Sequence, residues 1–416
     1  MLTHVLREHN LNKILLSYLG LWPFQNELAR SLLPISYLVL QMTCYPLVII
    51  MLYDHWENSR LVFECCSQIV LLTTFVAKLT NDFWNHDKVC ARKKSLAYLD
   101  FLIIITIRFF LFFFCQIRQL CEAMEKHWST FTSEFETRVL KDYSLISRKF
   151  TILYSIIMFS MIAIFLMVPL TPILLDIIRP LNESRPRFFA VSIEWRIDKD
   201  KYFVPIFCYN MSIIVTGTII MVGIDTMHVT CTVHACSLFS IISQQLEKVI
   251  SELGIDKLSE QVTYQEYVIC LRKYQLALEF VDVLNSMYRT VALIMLLMTG
   301  AIISLVGVRI VYVLNQLEEV MRFGLVIIGM LMQLLILCYS GQKLMDESQN
   351  VFYRAYAAKW YKFSPRLKSL LIITLYRSFI PCGLTAGNIF SLSMATYATV
   401  VRTGISYFTT FLSLKD

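Results

Sequence analysis

Seven stretches of this chain stay apolar over roughly the 20 residues that a helix needs to cross a hydrocarbon layer about 30 Å thick. They run over residues 32–53, 61–79, 150–170, 203–224, 291–314, 323–339 and 384–414. Lipid offers no partner for a backbone N–H or C=O, so each run must close its hydrogen bonds within itself, as a helix does. With 56% hydrophobic residues, 17% charged and a mean hydropathy of +0.58, the 416-residue chain has more apolar surface than a water-soluble core can hide. The expected fold is all-α, a polytopic membrane bundle of seven transmembrane helices forming a single domain over residues 1–416.

Lysine and arginine set the expected orientation. The segments after the second, fourth and sixth runs carry Arg92-Lys93-Lys94, Arg148-Lys149, Lys248, Arg272-Lys273, Lys343, Arg354, Lys359, Lys362, Arg366 and Lys368, and the alternate loops carry far fewer. The positive-inside rule then places the N-terminus in the cytoplasm and, after seven crossings, the C-terminus outside. The loop over 171–202 mixes Arg and Lys with Asp and Glu, and its Asn182-Glu183-Ser184 is a glycosylation sequon on the expected outer side. A second sequon, Asn210-Met211-Ser212, lies inside the fourth run and is expected to be silent. The apolar stretch near Leu15–Leu21 follows Lys13, breaks at Trp22-Pro23 and lacks a small-residue cleavage site, so it is not read as a secretory signal.

Two long segments, about 225–288 and 341–380, the second of them basic, are too polar for lipid yet carry apolar residues at helical spacing, among them Leu238, Ile241, Ile242 and Leu246, and Tyr274, Val281 and Leu284. They read as cytoplasmic extensions of helices 4 to 7. Their stripes must pack on each other or on a neighbouring subunit.

Enzymatic chemistry has no foothold. The seven His include no H-E-x-x-H pair, the twelve Gly form no phosphate loop, and no G-x-S-x-G elbow occurs. The twelve Cys show no metal or disulfide spacing, so no metal and no cofactor is expected. A net charge of +7 is ordinary for a membrane protein with basic inner loops and implies no nucleic acid.

The last eighty or so residues resemble the C-terminal signature of insect odorant receptors. The ordered set is Gly341-Gln342, Glu347-Ser348, Ala355-Tyr356, Trp360-Tyr361, Arg377-Ser378, Pro381, Leu384-Thr385-Ala386-Gly387 and Ser406-Tyr407. Gly20-Leu21-Trp22-Pro23 and the stretch from Trp128 through Arg148-Lys149-Phe150-Thr151 to Tyr154 are similar to that family's earlier segments. The resemblance implies an odorant-gated, non-selective cation channel in the plasma membrane of a sensory dendrite, a heterotetramer formed with the odorant receptor co-receptor. The final helix would line the pore, with its outer constriction at Thr410, Ser413 and Leu414, although many relatives carry a branched apolar residue where Thr410 stands. Tyr356, Trp360 and Tyr361 would belong to the cytoplasmic anchor between subunits.

A pocket for small hydrophobic odorants needs apolar and aromatic walls with few polar groups. The outer halves of the second to sixth runs offer Phe63, Gln68, Met161, Phe165, Tyr209, Met211, Tyr312, Phe323 and Met330. Most such residues simply pack in any bundle. Ionisable side chains inside spans cost about 2.5–3.5 kcal/mol at mid-bilayer. Glu64, Lys78, Asp225 and Arg309 sit near span ends and are expected to snorkel to the interface. Arg402 lies deeper and is expected to pack on a neighbouring helix, since a ring of Arg would oppose cations.

A gustatory receptor of the same superfamily is the nearest alternative, but it typically ends in Thr-Tyr followed by apolar residues and Gln-Phe, whereas this chain has Ser406-Tyr407-Phe408-Thr409-Thr410-Phe411. A G-protein-coupled receptor would invert the charge bias and carry Asp/Glu-Arg-Tyr and Asn-Pro-x-x-Tyr motifs that are missing from the sequence. A secondary transporter would repeat itself in two halves.

Residues 89–116 fit neither the family pattern nor a good span, because the run from Phe101 to Cys115 is short and interrupted by Arg108. They fit a translated intron. Lys88-Val89 can be encoded as AAG followed by GT, the Phe-rich stretch ending at Cys115-Gln116 can be a pyrimidine tract ending in CAG, and removing Val89–Gln116 keeps the reading frame.

Overall fold

A helix rises about 1.5 Å per residue, so any helix much beyond 20 residues must leave the membrane, and several here do. The computed structural model describes residues 7–79, 117–178, 189–191, 193–198, 201–251, 257–357 and 360–413. The helices are α1 (Asn10–Tyr18), α2 (Glu27–Asp54), α3 (Ser59–Leu79), α4 (Glu134–Met167), α5 (Thr171–Ile178), α6 (Phe203–Ser251), α7 (Lys257–Tyr312), α8 (Leu317–Ala357), α9 (Pro365–Phe379) and α10 (Met394–Ser413). Residues 117–130 are also helical. Strands β1 (Thr385–Ala386) and β2 (Phe390–Ser391) pair antiparallel, with Thr385 opposite Ser391 and Ala386 opposite Phe390.

Among the described residues, six helical segments are long and apolar enough to cross a membrane: α2, α3, α4 continued through α5, α6, α7 and α8. α10 packs along α7 as the seventh member of the bundle. The outward sides of α2 and α4 expose Leu32, Val39 and Ile49, and Leu153, Ile156 and Ile164. In lipid, apolar side chains on such a surface carry no penalty.

α6 has 49 residues and α7 has 56, so each is about 70–85 Å long, more than twice the hydrocarbon thickness. Their more polar halves extend past the spans, as the apolar stripes imply. Leu238, Ile241, Ile242 and Leu246 of α6, Val281 and Leu284 of α7, and Leu344, Val351 and Ala355 of α8 are fully buried there, in one continuous core with Leu120, Met124 and Leu367. Burying one such leucine contributes about 1.5–3 kcal/mol. The start of α4 is tied into this layer by Glu136. It accepts the Ser133 N–H at 3.1 Å and side-chain hydrogen bonds from Gln245 and Lys273.

The expected seventh span, 384–414, begins too early. Gly387 and Asn388 both adopt positive φ, which no right-handed helix permits, and residues 384–391 form the β hairpin instead. The hairpin is clamped by Asn285 Oδ1, which accepts the Thr385 N–H at 2.8 Å, and by the Arg289 carbonyl, which accepts the Gly387 N–H at 2.8 Å. A Cβ at Gly341 would lie 2.4 Å from the Leu392 carbonyl oxygen, so α8 meets the hairpin only with glycine at that position. Residues 89–116 and Asn182 lie outside the described residues.

Candidate functional site

α3, α4, α6 and α8 pack imperfectly over their outer halves and enclose a cavity of about 170 Å³. That is close to the ~150 Å³ apolar cavity that holds benzene in an engineered protein. Phe75, Leu71 and Leu72 of α3, Met158, Met161 and Phe165 of α4, Ile214, Thr218 and Met221 of α6, and Val326, Gly329 and Met330 of α8 form most of its wall. Its opposite end is polar, where Glu64, Ser67 and Gln68 of α3 meet Arg322 at the start of α8. Along α3 the step from Glu64 to Phe75 spans about 16 Å, so polar and apolar ends are well separated.

The charges at the polar end form one buried cluster. Glu64 Oε1 accepts from Arg322 Nη2 at 2.8 Å, and Glu64 Oε2 accepts from Arg309 Nη2 at 2.9 Å. Arg322 Nη2 also donates to Glu319 Oε2 at 2.7 Å, and Nη1 donates to the Phe189 carbonyl at 2.8 Å. Both guanidiniums lie over the Phe323 ring, at 5.5 Å for Arg309 and 4.6 Å for Arg322. Deeper in the bundle, Lys78 Nζ meets Asp225 Oδ1 at 2.5 Å, and Asp225 Oδ2 accepts from Tyr154 at 3.1 Å and from Gln333 at 3.2 Å. Snorkelling is therefore the wrong account of Glu64, Lys78 and Arg309, which are buried and paired. A partner within reach on a facing helix removes the need to reach water.

Of the nine residues expected to line a pocket, Gln68, Met161, Phe165, Phe323 and Met330 do line this cavity. Phe63 is turned about 100° from Glu64 on α3 and packs edge-on against Phe411 of α10, with ring centroids 5.8 Å apart. Tyr312 sits under the Arg60 guanidinium at 5.5 Å. Tyr209 bonds Thr43 at 2.8 Å and meets Trp195 edge-on, and Met211 is exposed; both precede Ile213, the first cavity residue of α6. Asn210, in the silent sequon, is buried and donates to the Val191 carbonyl.

α10 presents two unlike faces. Gly404 meets Gly300 and Ile303 of α7, and Phe408 covers Gly307. The opposite side exposes Thr399, Thr403, Ser406, Thr410 and Ser413, spaced four, three, four and three residues apart, and Arg402 is exposed beside them. Among the described residues Arg402 is therefore outside the bundle core and not packed into a neighbouring helix as expected. Thr410 and Ser413, expected at the constriction, lie on this exposed side together with Thr399, Thr403 and Ser406, which the same spacing brings onto it. Leu414 lies outside the described residues. Tyr356, Trp360 and Tyr361 are exposed in the single chain, as are Ile372, Tyr376 and Phe379 of α9, and the Tyr356 and Phe379 rings both pack on Phe352.

The 7tm Odorant receptor family profile matches residues 92–405 of this chain. Among curated relatives, Odorant receptor 22b of Drosophila melanogaster is 27% identical over 163 residues, covering 39% of this chain and 40% of that one. Odorant receptor 9a of the same species is 23% identical over 206 residues, half of each chain. The chain thus aligns with half or less of the length of these relatives. Among solved structures, the insect olfactory receptor OR5 from Machilis hrabei superposes with a TM-score of 0.75 at 12% identity over 99% of both chains. The structure of that receptor in complex with eugenol gives 0.70 at 13% identity, again over 99% of both chains. These superpositions establish the seven-helix membrane fold.

Proposed function

Because this chain belongs to the odorant receptor family, we propose that it is the odorant-recognising subunit of a ligand-gated, non-selective cation channel that assembles as a tetramer with the odorant receptor co-receptor. It sits in the plasma membrane with its N-terminus and basic helical layer in the cytoplasm. The cavity between α3, α4, α6 and α8 takes a small hydrophobic odorant, and α10 lines the pore. Asn182 carries the outer glycan.

The single observation that carries the channel reading is the split character of α10. One face is occupied by α7, through Gly404 and Phe408. The other shows a row of hydroxyls, of which Thr399, Thr403, Thr410 and Ser413 donate back to carbonyls of their own helix, flanked by Arg402, whose exposed charge is costly against lipid. A four-three repeat is the seam of helices arranged around a common axis. Water along that axis, or a like helix from another subunit, satisfies it. The exposed rings of Tyr356, Trp360, Tyr361 and Tyr376 support a contact between subunits in the layer beyond the spans.

Co-expression with the co-receptor and a panel of volatile compounds tests the reading by inward current. Current to no compound, with the subunit at the cell surface, would count against it. A tag after Asp416 should be stained on intact cells, and a tag before Met1 only after permeabilisation.

A further inference from the structure

We infer that the cavity selects a neutral, ring-sized ligand whose carbonyl oxygen accepts a hydrogen bond from Arg322: an aldehyde, ketone or ester, in preference to the matching acid, amine or hydrocarbon. The inference rests on the reading of this cavity as the odorant site.

Size comes first. About 170 Å³ suits one ring with a short substituent. The polar end then decides what the substituent is. Arg322 lines the cavity and is 4% exposed. Its terminal nitrogens are committed to Glu64, Glu319 and the Phe189 carbonyl, while its buried Nε–H has no acceptor among the described residues. A buried donor without an acceptor is costly, and more so on a charged group. Arg309 also has an unpaired Nε, but it does not line the cavity. A ligand acceptor at this end repairs the defect.

Charge decides which acceptor. Among the described residues the cluster is balanced, with Glu64 and Glu319 against Arg309 and Arg322. A carboxylate would bring an unmatched negative charge into a low-dielectric site, and an ammonium would face the Arg322 guanidinium with no free carboxylate. A carbonyl adds an acceptor and no charge. The opposite wall, with Phe75, Met161 and Met330, takes the ring.

The test uses cells co-expressing the full chain and the co-receptor, with acetophenone, benzaldehyde, ethylbenzene, benzoic acid and benzylamine as probes. The carbonyl compounds should act at concentrations at least about tenfold below ethylbenzene, as expected for a hydrogen bond to a charged donor, with the acid and amine weakest. Arg322→Lys keeps the charge but removes the Nε–H. It should abolish the advantage of the carbonyl compounds over ethylbenzene, so that the two classes act at the same concentrations whatever the size of the remaining current. Equal potency of ethylbenzene and acetophenone, or a preference for the acid, would overturn the inference. If Arg322→Lys fails to reach the surface, the order of potencies on the unaltered protein decides by itself. Gly329→Leu, which places a side chain into the cavity, should weaken all responses. Unchanged responses there would overturn the cavity reading itself, and distinguish that failure from an error about Arg322 alone.

Discussion

Glu64 on α3 and Arg322 on α8, distant in sequence, close a 2.8 Å ion pair at the polar end of the cavity, and Arg309 of α7 shares the same carboxylate. Three helices are thereby fixed around one side chain. Glu64→Gln leaves two buried guanidiniums with half their compensation, and breaking a buried pair costs about 3–5 kcal/mol. The variant should show reduced surface abundance and a lowered melting temperature in detergent. A wild-type melting temperature would refute the structural weight given to this cluster.

α10 can be mapped by accessibility. Cysteine placed singly at Thr399, Thr403, Ser406 and Thr410 should react with a charged thiol reagent in open channels and block current, whereas cysteine at Phe408 should not. Protection of the whole hydroxyl row would move the pore elsewhere. Leu414→Gln should raise basal current without loss of surface protein, and an unchanged current removes Leu414 from the gate.

The close contact of α10 with α7 predicts a second effect. A Cβ at Gly404 would lie 2.9 Å from the Ile303 Cβ, so Gly404→Leu must push the helices apart, at about 1–3 kcal/mol for overpacking. Altered basal current with α10 displaced is the expected readout, and normal gating would show that the contact is soft.

Trp360 is 44% exposed, so Trp360→Ala should cost the single chain no more than about 1 kcal/mol. Its cost should appear in assembly. Co-purification with the co-receptor is expected to fall while the monomer's melting temperature holds; the reverse pattern would place Trp360 in the fold rather than the anchor.

His127 Nδ1 and His234 Nε2 lie 3.1 Å apart with stacked rings, in the layer beyond the spans. Burial holds the His127 imidazole down to about 4 from 6.5, and holds His234 well below its usual value. Both are neutral in the fold, so the unfolded chain takes up protons first as pH falls. Stability present above pH 6.5 is therefore lost on acidification towards about 4. Melting temperatures between about pH 7.5 and 5 should decline, and replacing both residues with Phe should flatten that decline. An unchanged slope would absolve the pair.

The intron reading of residues 89–116 predicts mature transcripts that join codon 88 to codon 117. Amplifying across codons 80 to 130 decides it, because messages that uniformly retain the segment would show that it is coding.

The chain's apolar runs by themselves determined that it is a helical membrane bundle and where most helices lie, because backbone hydrogen bonds in lipid admit few other solutions. The apolar periodicity of α6 and α7 likewise announced helices that run on beyond the membrane. Only the tertiary structure decided what the ionisable residues do. Near a span end, Glu64 or Lys78 alone reads as a side chain reaching for water; the partners that keep them buried, Arg322 and Asp225, come from helices that no local pattern links to α3. The hairpin before α10 depends in the same way on Asn285, Arg289 and the space left by Gly341. Periodicity specifies which face of a helix is apolar, but a pairing between distant side chains exists only once their helices are packed, and that is why the cavity's polar end was invisible in the sequence.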